Sequence, residues 1–128
     1  MKIIETHEAI FDRVSRALDR SITLWDYLPS NVSPPYVVLG KVGFELSGGL
    51  QTKLSTGYIL TQKIHVITKT EEKHKAVRIM NTIIEALQED LSIRGATVLR
   101  QFFTVGEVEE TSNEEFYGEI DFSLWLED

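Results

Sequence analysis

The side chains that could do chemistry in this chain are three histidines, a Glu71-x-x-His74 pair, a Gly48-Gly49 stretch near Lys53, and a dense group of carboxylates close to the end. Histidine titrates near neutral pH and is the commonest metal ligand. Here His7, His65 and His74 fall on a first helix, a strand and the start of a second helix, with no ligand-like spacing. Glu71-x-x-His74 is half of the carboxylate–histidine motif of di-iron bundles, which need two such pairs, two more glutamates and a four-helix scaffold. A single pair reads as a solvated helix start. Gly48-Gly49 with Lys53 misses the phosphate-loop spacing, and no helix follows to supply an amino-terminal dipole. The serines have no base at a recognisable offset and no nucleophile elbow. The carboxylates cluster on an exposed turn, where nothing apolar would raise a pKa for proton transfer. No enzyme activity, cofactor or metal is expected.

Composition narrows the class further. At 128 residues the chain reads as one domain over 1–128, long enough to bury roughly two thirds of its unfolded surface without a disulfide or metal staple. It has no cysteine, which removes thiol chemistry and suits a reducing cytosol. No apolar run reaches signal or membrane-span length, so a soluble, unexported domain is expected. The net charge of −7 is unevenly placed: residues 106–128 hold nine acidic side chains and no basic one. Such a surface repels phosphate backbones and disfavours ordinary nucleic-acid binding. The plain alternative is an acidic hairpin tip that keeps the protein in solution.

The elements that carry these residues follow from periodicity. Ile3, His7, Ile10, Phe11, Val14, Ala17, Leu18 and Ile22 form one apolar stripe, predicting a helix from about Thr6 to Arg20 with Thr6 as N-cap. Trp25, Tyr27 and Leu28 then read as an apolar knot before Pro29. Tyr36, Val38, Val42, Phe44 and Leu46 share a parity that predicts a strand, as do Tyr58, Leu60, Ile64 and Val66. The connection over 47–57 is longer than a usual hairpin loop, and such length is most often functional or mobile. Thr70 is expected to cap a second helix whose stripe is Ala76, Val77, Met80, Ile83, Ile84, Leu87 and Leu91, ending near Ser92 to Gly95. Strands over Val98–Val105 and Phe116–Leu126 complete the chain, joined by a turn over Glu109–Glu115 in which Asn113 tolerates a left-handed backbone.

The order αββαββ predicts a two-layer α+β domain: a mainly antiparallel sheet of about four strands, with both helices on one face. Leu39, Ile59, Ile67, Leu99, Phe103, Val105 and Trp125 are then expected to point away from the helices, as a second apolar face to be covered in part by the long loop or, the favoured reading, by a neighbouring subunit.

Trp25-Asp26-Tyr27-Leu28-Pro29, Pro34-Pro35-Tyr36-Val37-Val38-Leu39-Gly40, Ile64-His65-Val66-Ile67, the helix from Ala76 to Leu87 and the closing Gly118-x-Ile120-x-Phe122-x-Leu124-x-Leu126 follow one another in a characteristic order. In this the chain resembles the tail-completion (tail terminator) proteins of long-tailed bacteriophages over nearly its whole length. The glycine-rich loop at 47–57 departs from that pattern. The resemblance implies a structural virion protein that assembles in the host cytoplasm into a ring, expected to be a hexamer, at the head-proximal end of the tail. There it would stop tube polymerisation and present a joining surface to the head connector. Its partners would be itself, the tube protein and the connector protein, with DNA passing without specific binding and no membrane involved. Under this reading Leu39, Ile59, Ile67, Phe103 and Trp125, with Leu50 and Leu54 of the long connection, belong to a subunit or partner interface. The hairpin acids Glu107, Glu109, Glu110, Glu114 and Glu115 would line the bore or an interface. The source could be an active virus or a prophage. The rival from another class is a small dimeric α+β ligand-binding or regulatory module, which would need a concave pocket with converging polar groups.

Overall fold

The computed structural model describes residues 1–46, 57–111 and 114–128. Two helices, α1 (Ile3–Ala17) and α2 (Lys73–Gln88), pack on one face of a sheet built from β1 (Thr23–Trp25), β2 (Tyr36–Leu46), β3 (Gly57–Lys69), β4 (Thr97–Glu110) and β5 (Glu115–Glu127). The spatial order is β1-β2-β3-β5-β4. β1 runs parallel to β2, and every other neighbouring pair is antiparallel. The α+β class and the helices on one face follow the sequence. The sheet, however, is mixed and has five described strands, so the chain order is αβββαββ, not αββαββ. Thr23-Leu24-Trp25 is too short to display an alternation, and it supplies the strand that reading missed. Tyr27, expected in an apolar knot, stands 87% exposed in solvent.

The helices obey their apolar stripes but begin and end elsewhere than expected. Thr6 lies inside α1, wholly buried, and its hydroxyl donates to the Lys2 carbonyl at 2.6 Å, so the helix starts a turn earlier than a Thr6 cap would allow. α2 starts after Glu72 instead of Thr70 and stops at Gln88. Leu91 and Ile93 stay buried beyond it in extended chain, and the positive φ of Gly95 serves the turn into β4. The carbonyls left unpaired at the carboxyl end of α2 are taken up from other elements. Arg13 donates to Ala86, Glu89 and Asp90, and the Gln101 amide donates to Leu87 and Glu89.

Two irregular strands decide which side chains reach the core. The register of β2 against β3 shifts between Leu39 and Val42, so an extra residue at Gly40–Lys41 changes the parity of the strand. Val37 and Leu39 face the helices before the shift, and Val42 packs on the core after it. Leu39 is 3% exposed and lies in the core, correcting its expected place on the opposite face. In β4, the shift between Val98 and Arg100 turns Phe103 inward, and a second shift between Phe103 and Val105 turns Gly106 and Val108 to the same side. The Phe103 ring lies 5.1 Å from that of the fully buried Phe122, which corrects the second expectation. Leu99 sits within the first of these bulges and is exposed. Phe44 and Leu46 pair with the buried Leu60 and Tyr58, placing them on the helix side of the sheet, yet they are 55% and 69% exposed.

The bulge of β2 is held by Gln62, a wholly buried amide on β3. Its nitrogen donates to the Gly40 carbonyl at 3.0 Å and to the Lys63 carbonyl at 2.9 Å, which leaves its oxygen facing His7 Nδ1 at 2.9 Å. His7 Nε2 in turn meets Asp26 at 2.8 Å, so one network joins α1, the end of β1, the bulge and β3. Leucine at Gln62 would leave the Gly40 carbonyl without the amide donor and take from the His7 ring one of its two partners. A buried group left without its partner costs about 1–3 kcal/mol. Gln62→Leu is expected to lower unfolding stability by that amount in urea titration at pH 7, with an unchanged slope.

Candidate assembly surfaces

The face of the sheet turned away from the helices follows from register alone. Ile59, Thr61, Lys63, His65 and Ile67 of β3 stand opposite Trp125, Ser123, Asp121, Glu119 and Tyr117 of β5. Arg100 and Phe102 of β4 lie beyond Trp125 and Ser123, while Tyr36 and Val38 of β2 flank Ile67 and His65. Ile59, Ile67 and Trp125 are therefore where the sequence puts them, but they do not form one greasy sheet. Trp125, 38% exposed, sits with Ile59 near one end, and Ile67 is nearly covered between Tyr36 and Tyr117 at the other. Arg100 lies over the Phe102 ring, 5.0 Å from its centroid. Leu50 and Leu54 fall outside the described residues.

Between the apolar ends runs a charged and polar band that sequence reading did not pick out. Lys63 Nζ bonds the Glu119 carboxylate and lies 3.6 Å from Asp121, and both acids are largely covered. The bond to Glu119 holds the Lys63 ammonium above its ordinary pKa against the opposing effect of burial, with Asp121 adding to the rise. His65 Nδ1 is hydrogen-bonded to the Tyr117 hydroxyl. Burial pushes the His65 imidazole below its ordinary value although Glu119 pulls the other way, and burial likewise raises the Tyr117 phenol. Thr61 and Ser123 hydroxyls pair at 2.7 Å. The signal was present in the sequence: Lys63, His65, Glu119 and Asp121 all occupy the polar phase of strands whose other phase is apolar.

Gly40 makes this arrangement possible, because a Cβ there would stand 2.4 Å from His65 Nε2. The hairpin acids continue the band outward. Glu107 lies across from Glu119 and Glu109 across from Tyr117 on the same face, whereas Glu110 pairs with Phe116 on the helix side. Glu107, Glu109, Glu110 and Glu114 are exposed and Glu115 is half-buried. Asn113, the expected turn residue, lies outside the described residues; Glu114 next to it takes a left-handed φ of 59°. His74 and Glu71 are exposed at the start of α2, and no group of three or more His, Asp or Glu side chains placed to hold a metal occurs among the described residues.

A two-layer domain whose buried polar groups tie strands together, and whose open face carries a band of fixed charge, has the make-up of a structural subunit. Residues 8–127 match the family described as "Tail completion protein gp17", and the chain belongs to that family. It is a structural protein of the phage-type virion tail and not an enzyme, with tail components as its partners. Among solved structures, the chain is similar to a component of the virion of a native gene transfer agent particle, with a TM-score of 0.77 and 16% identity over 94% of this chain and 93% of that one. The gp17 protein of bacteriophage SPP1 is similar with a TM-score of 0.60 and 20% identity over 96% and 91%. A third likeness is to the PVC sheath/tube terminator of an extracellular contractile injection system in its extended state, with a TM-score of 0.57 and 16% identity over 100% of this chain and 58% of that one. At these identities the likeness is one of fold. No curated protein matches the chain in sequence.

The depressed His65 pKa gives a pH dependence of definite sign. The unfolded chain binds a proton at His65 more readily than the folded one, so stability is fully present above the unfolded value near 6.5 and falls as pH drops through it. Urea midpoints are expected to decline from pH 7.5 to 5.5, and His65→Gln is expected to flatten that slope. A Gly40→Ala variant should be less stable by about 1–3 kcal/mol through its clash with the imidazole.

Proposed function

We propose that this protein assembles as a ring, a hexamer, on the head-proximal end of the tail tube, where it terminates polymerisation and presents the surface that the head connector meets. Family membership supports the tail role. The likeness in fold to a gene transfer agent virion component and to a contractile injection system sheath/tube terminator supports a position at the end of a tube. The observation that carries the reading is the charge layout. Carboxylates run from the middle of the open sheet face through Glu119, Glu107 and Glu109 out to the hairpin, and among the described residues of β3 Lys63, opposite Asp121, and Lys69, opposite Glu115, face them.

In a ring, several copies of this acidic band around a bore repel a passing polyanion and leave DNA free to slide. Glu107, Glu109, Glu110, Glu114 and Glu115 belong to the bore or its rim. Ile59 and Trp125, with Ile67 more deeply set, form the part of the open face that a tail component or neighbouring copy covers. Leu39 and Phe103 have no part in that surface, since Leu39 is in the core and Phe103 packs against it from the helix side.

Two variants test the reading. Glu107→Gln with Glu114→Gln and Glu115→Gln should leave rings intact by negative-stain imaging while raising affinity for linear duplex DNA in a low-salt shift assay. Loss of rings would move the hairpin to a subunit contact. Trp125→Lys should keep a native melting profile and lower co-sedimentation with purified tail tubes about tenfold or more, as expected for a buried aromatic anchor.

A further inference from the structure

Among the described residues, the two outer edges of the sheet have no further strand beside them and are unlike each other. β1 pairs only with Tyr36, Val37 and Val38, so the outer edge of β2 from Gly40 to Leu46 has no partner among the described residues. β4 is the last strand on the other side. Beside it α2 leaves a groove of about 340 Å³, floored by Val77, Met80, Ile84, Val108 and Gly106. Val77 is 48% exposed, and a Cβ at Gly106 would meet nothing within 4 Å. Phe44 and Leu46, on the helix side of the β2 edge, are exposed with nothing to cover them among the described residues.

From these complementary edges we infer that copies of this chain join edge to edge, the β2 segment Lys41–Leu46 of one copy adding as a strand to the β4 segment Thr104–Glu109 of the next. The inference rests on the ring reading and specifies its subunit joint. Strand sense supports it. β2, β3, β5 and β4 alternate in direction, so β4 runs opposite to β2. A neighbour that continues the sheet with its helices on the same side therefore meets β4 antiparallel.

Parity then selects a register. Val42, Phe44 and Leu46 point to the helix side, as do Gly106 and Val108. Phe44 opposite Gly106 lays its ring in the open groove against Val77 and Ile84, an aromatic filling the space that a strand glycine leaves. Val42 then meets Val108, and Lys41 meets Glu109, an opposite-charge cross-strand pair. The one like-charge approach, Glu45 to Glu107, is diagonal and solvent-exposed, where it costs little. Pairing of β4 with a second β4 would bring Glu107, Glu109 and Glu110 onto their own copies, so the acidic edge disfavours the symmetric dimer and leaves the head-to-tail joint.

The chain has no cysteine, so paired substitutions report this contact alone. Val42→Cys with Val108→Cys, and Lys41→Cys with Glu109→Cys, occupy adjacent cross-strand pairs, of which one is the close, non-hydrogen-bonded kind at about 4.5 Å between Cα atoms, within disulfide reach. Inside one copy β2 and β4 are three strand spacings apart, about 14 Å, so a bridge can only join copies. Oxidised protein, concentrated alone or on purified tail tubes, is expected to run as a covalent ladder that ends at the ring number. Rings in negative stain with no ladder from either pair overturn the edge joint and leave the ring reading standing. Wild-type protein that forms no rings in either setting overturns both. Lys41→Glu and Glu109→Lys should each lower the assembled fraction about two- to fivefold and restore it when combined; failure of the exchange to restore assembly rejects the register. Phe44→Ser should weaken assembly more strongly with an unchanged melting midpoint, because Phe44 is exposed in the single copy.

Discussion

The arrangement of this molecule turns on a single buried amide. Gln62 occupies the helix-facing side of the central strand, where an apolar residue would otherwise pack, and spends its donors on the carbonyls of Gly40 and Lys63. That bond stabilises a bulge at the point where β2 must change parity. Upstream of it the strand buries Val37 and Leu39; downstream it presents Val42, Phe44 and Leu46 to the same side. The bulge glycine also opens the space in which His65 lies, so the core on one face and the polar band on the other share one origin. Because the amide oxygen is satisfied by His7, which reaches on to Asp26, the first helix and the short parallel strand are referenced to the same point. A fully bonded polar group of this kind fixes one register where apolar packing alone would tolerate several.

Much of the fold was legible in the sequence because it rests on long, regular periodicities. The alternation of Phe116 to Leu126 and the stripe from Ala76 to Leu87 are strong enough that tertiary context only confirms them. What sequence could not supply were single-residue slips. A period of two carries no mark of an inserted residue, so parity alone puts Leu39 and Phe103 on the open face, whereas bulges set by backbone hydrogen bonding turn them to the helices. Thr6 and Thr70 looked like caps by residue type, yet three-dimensional packing drew α1 one turn further and started α2 later. The acidic hairpin was visible as composition. The Lys63–Glu119–Asp121 cluster required knowing that β3 and β5 are neighbours, which the order β3-β5-β4 makes true and sequence order does not.

The surface divides into regions with different physical tasks. The open face has polar pairs along its middle and apolar residues at its two ends, so its contacts depend on position along the strands. The edges differ in charge and in shape: one offers exposed Phe44 and Leu46, and the other an empty space at Gly106 bordered by carboxylates. Such asymmetry suits a subunit that must make unlike contacts in several directions, and it explains why a structural member of a tail-completion family carries buried polar groups without catalytic use. His65 and Lys63 are perturbed by burial and by partners that hold the sheet together.

The pairing of β3 with β5 continues without a slip over thirteen residues, from Gly57 opposite Glu127 to Lys69 opposite Glu115. Its hydrogen bonds lie across the strand axis, so a pull along that axis loads them in shear and shares the force among all rungs together. β1 holds β2 by three residue pairs only. A pull along these strands would therefore travel through the centre of the sheet as through a stiff beam, while yielding would begin at its margin, at the short strand beyond β2.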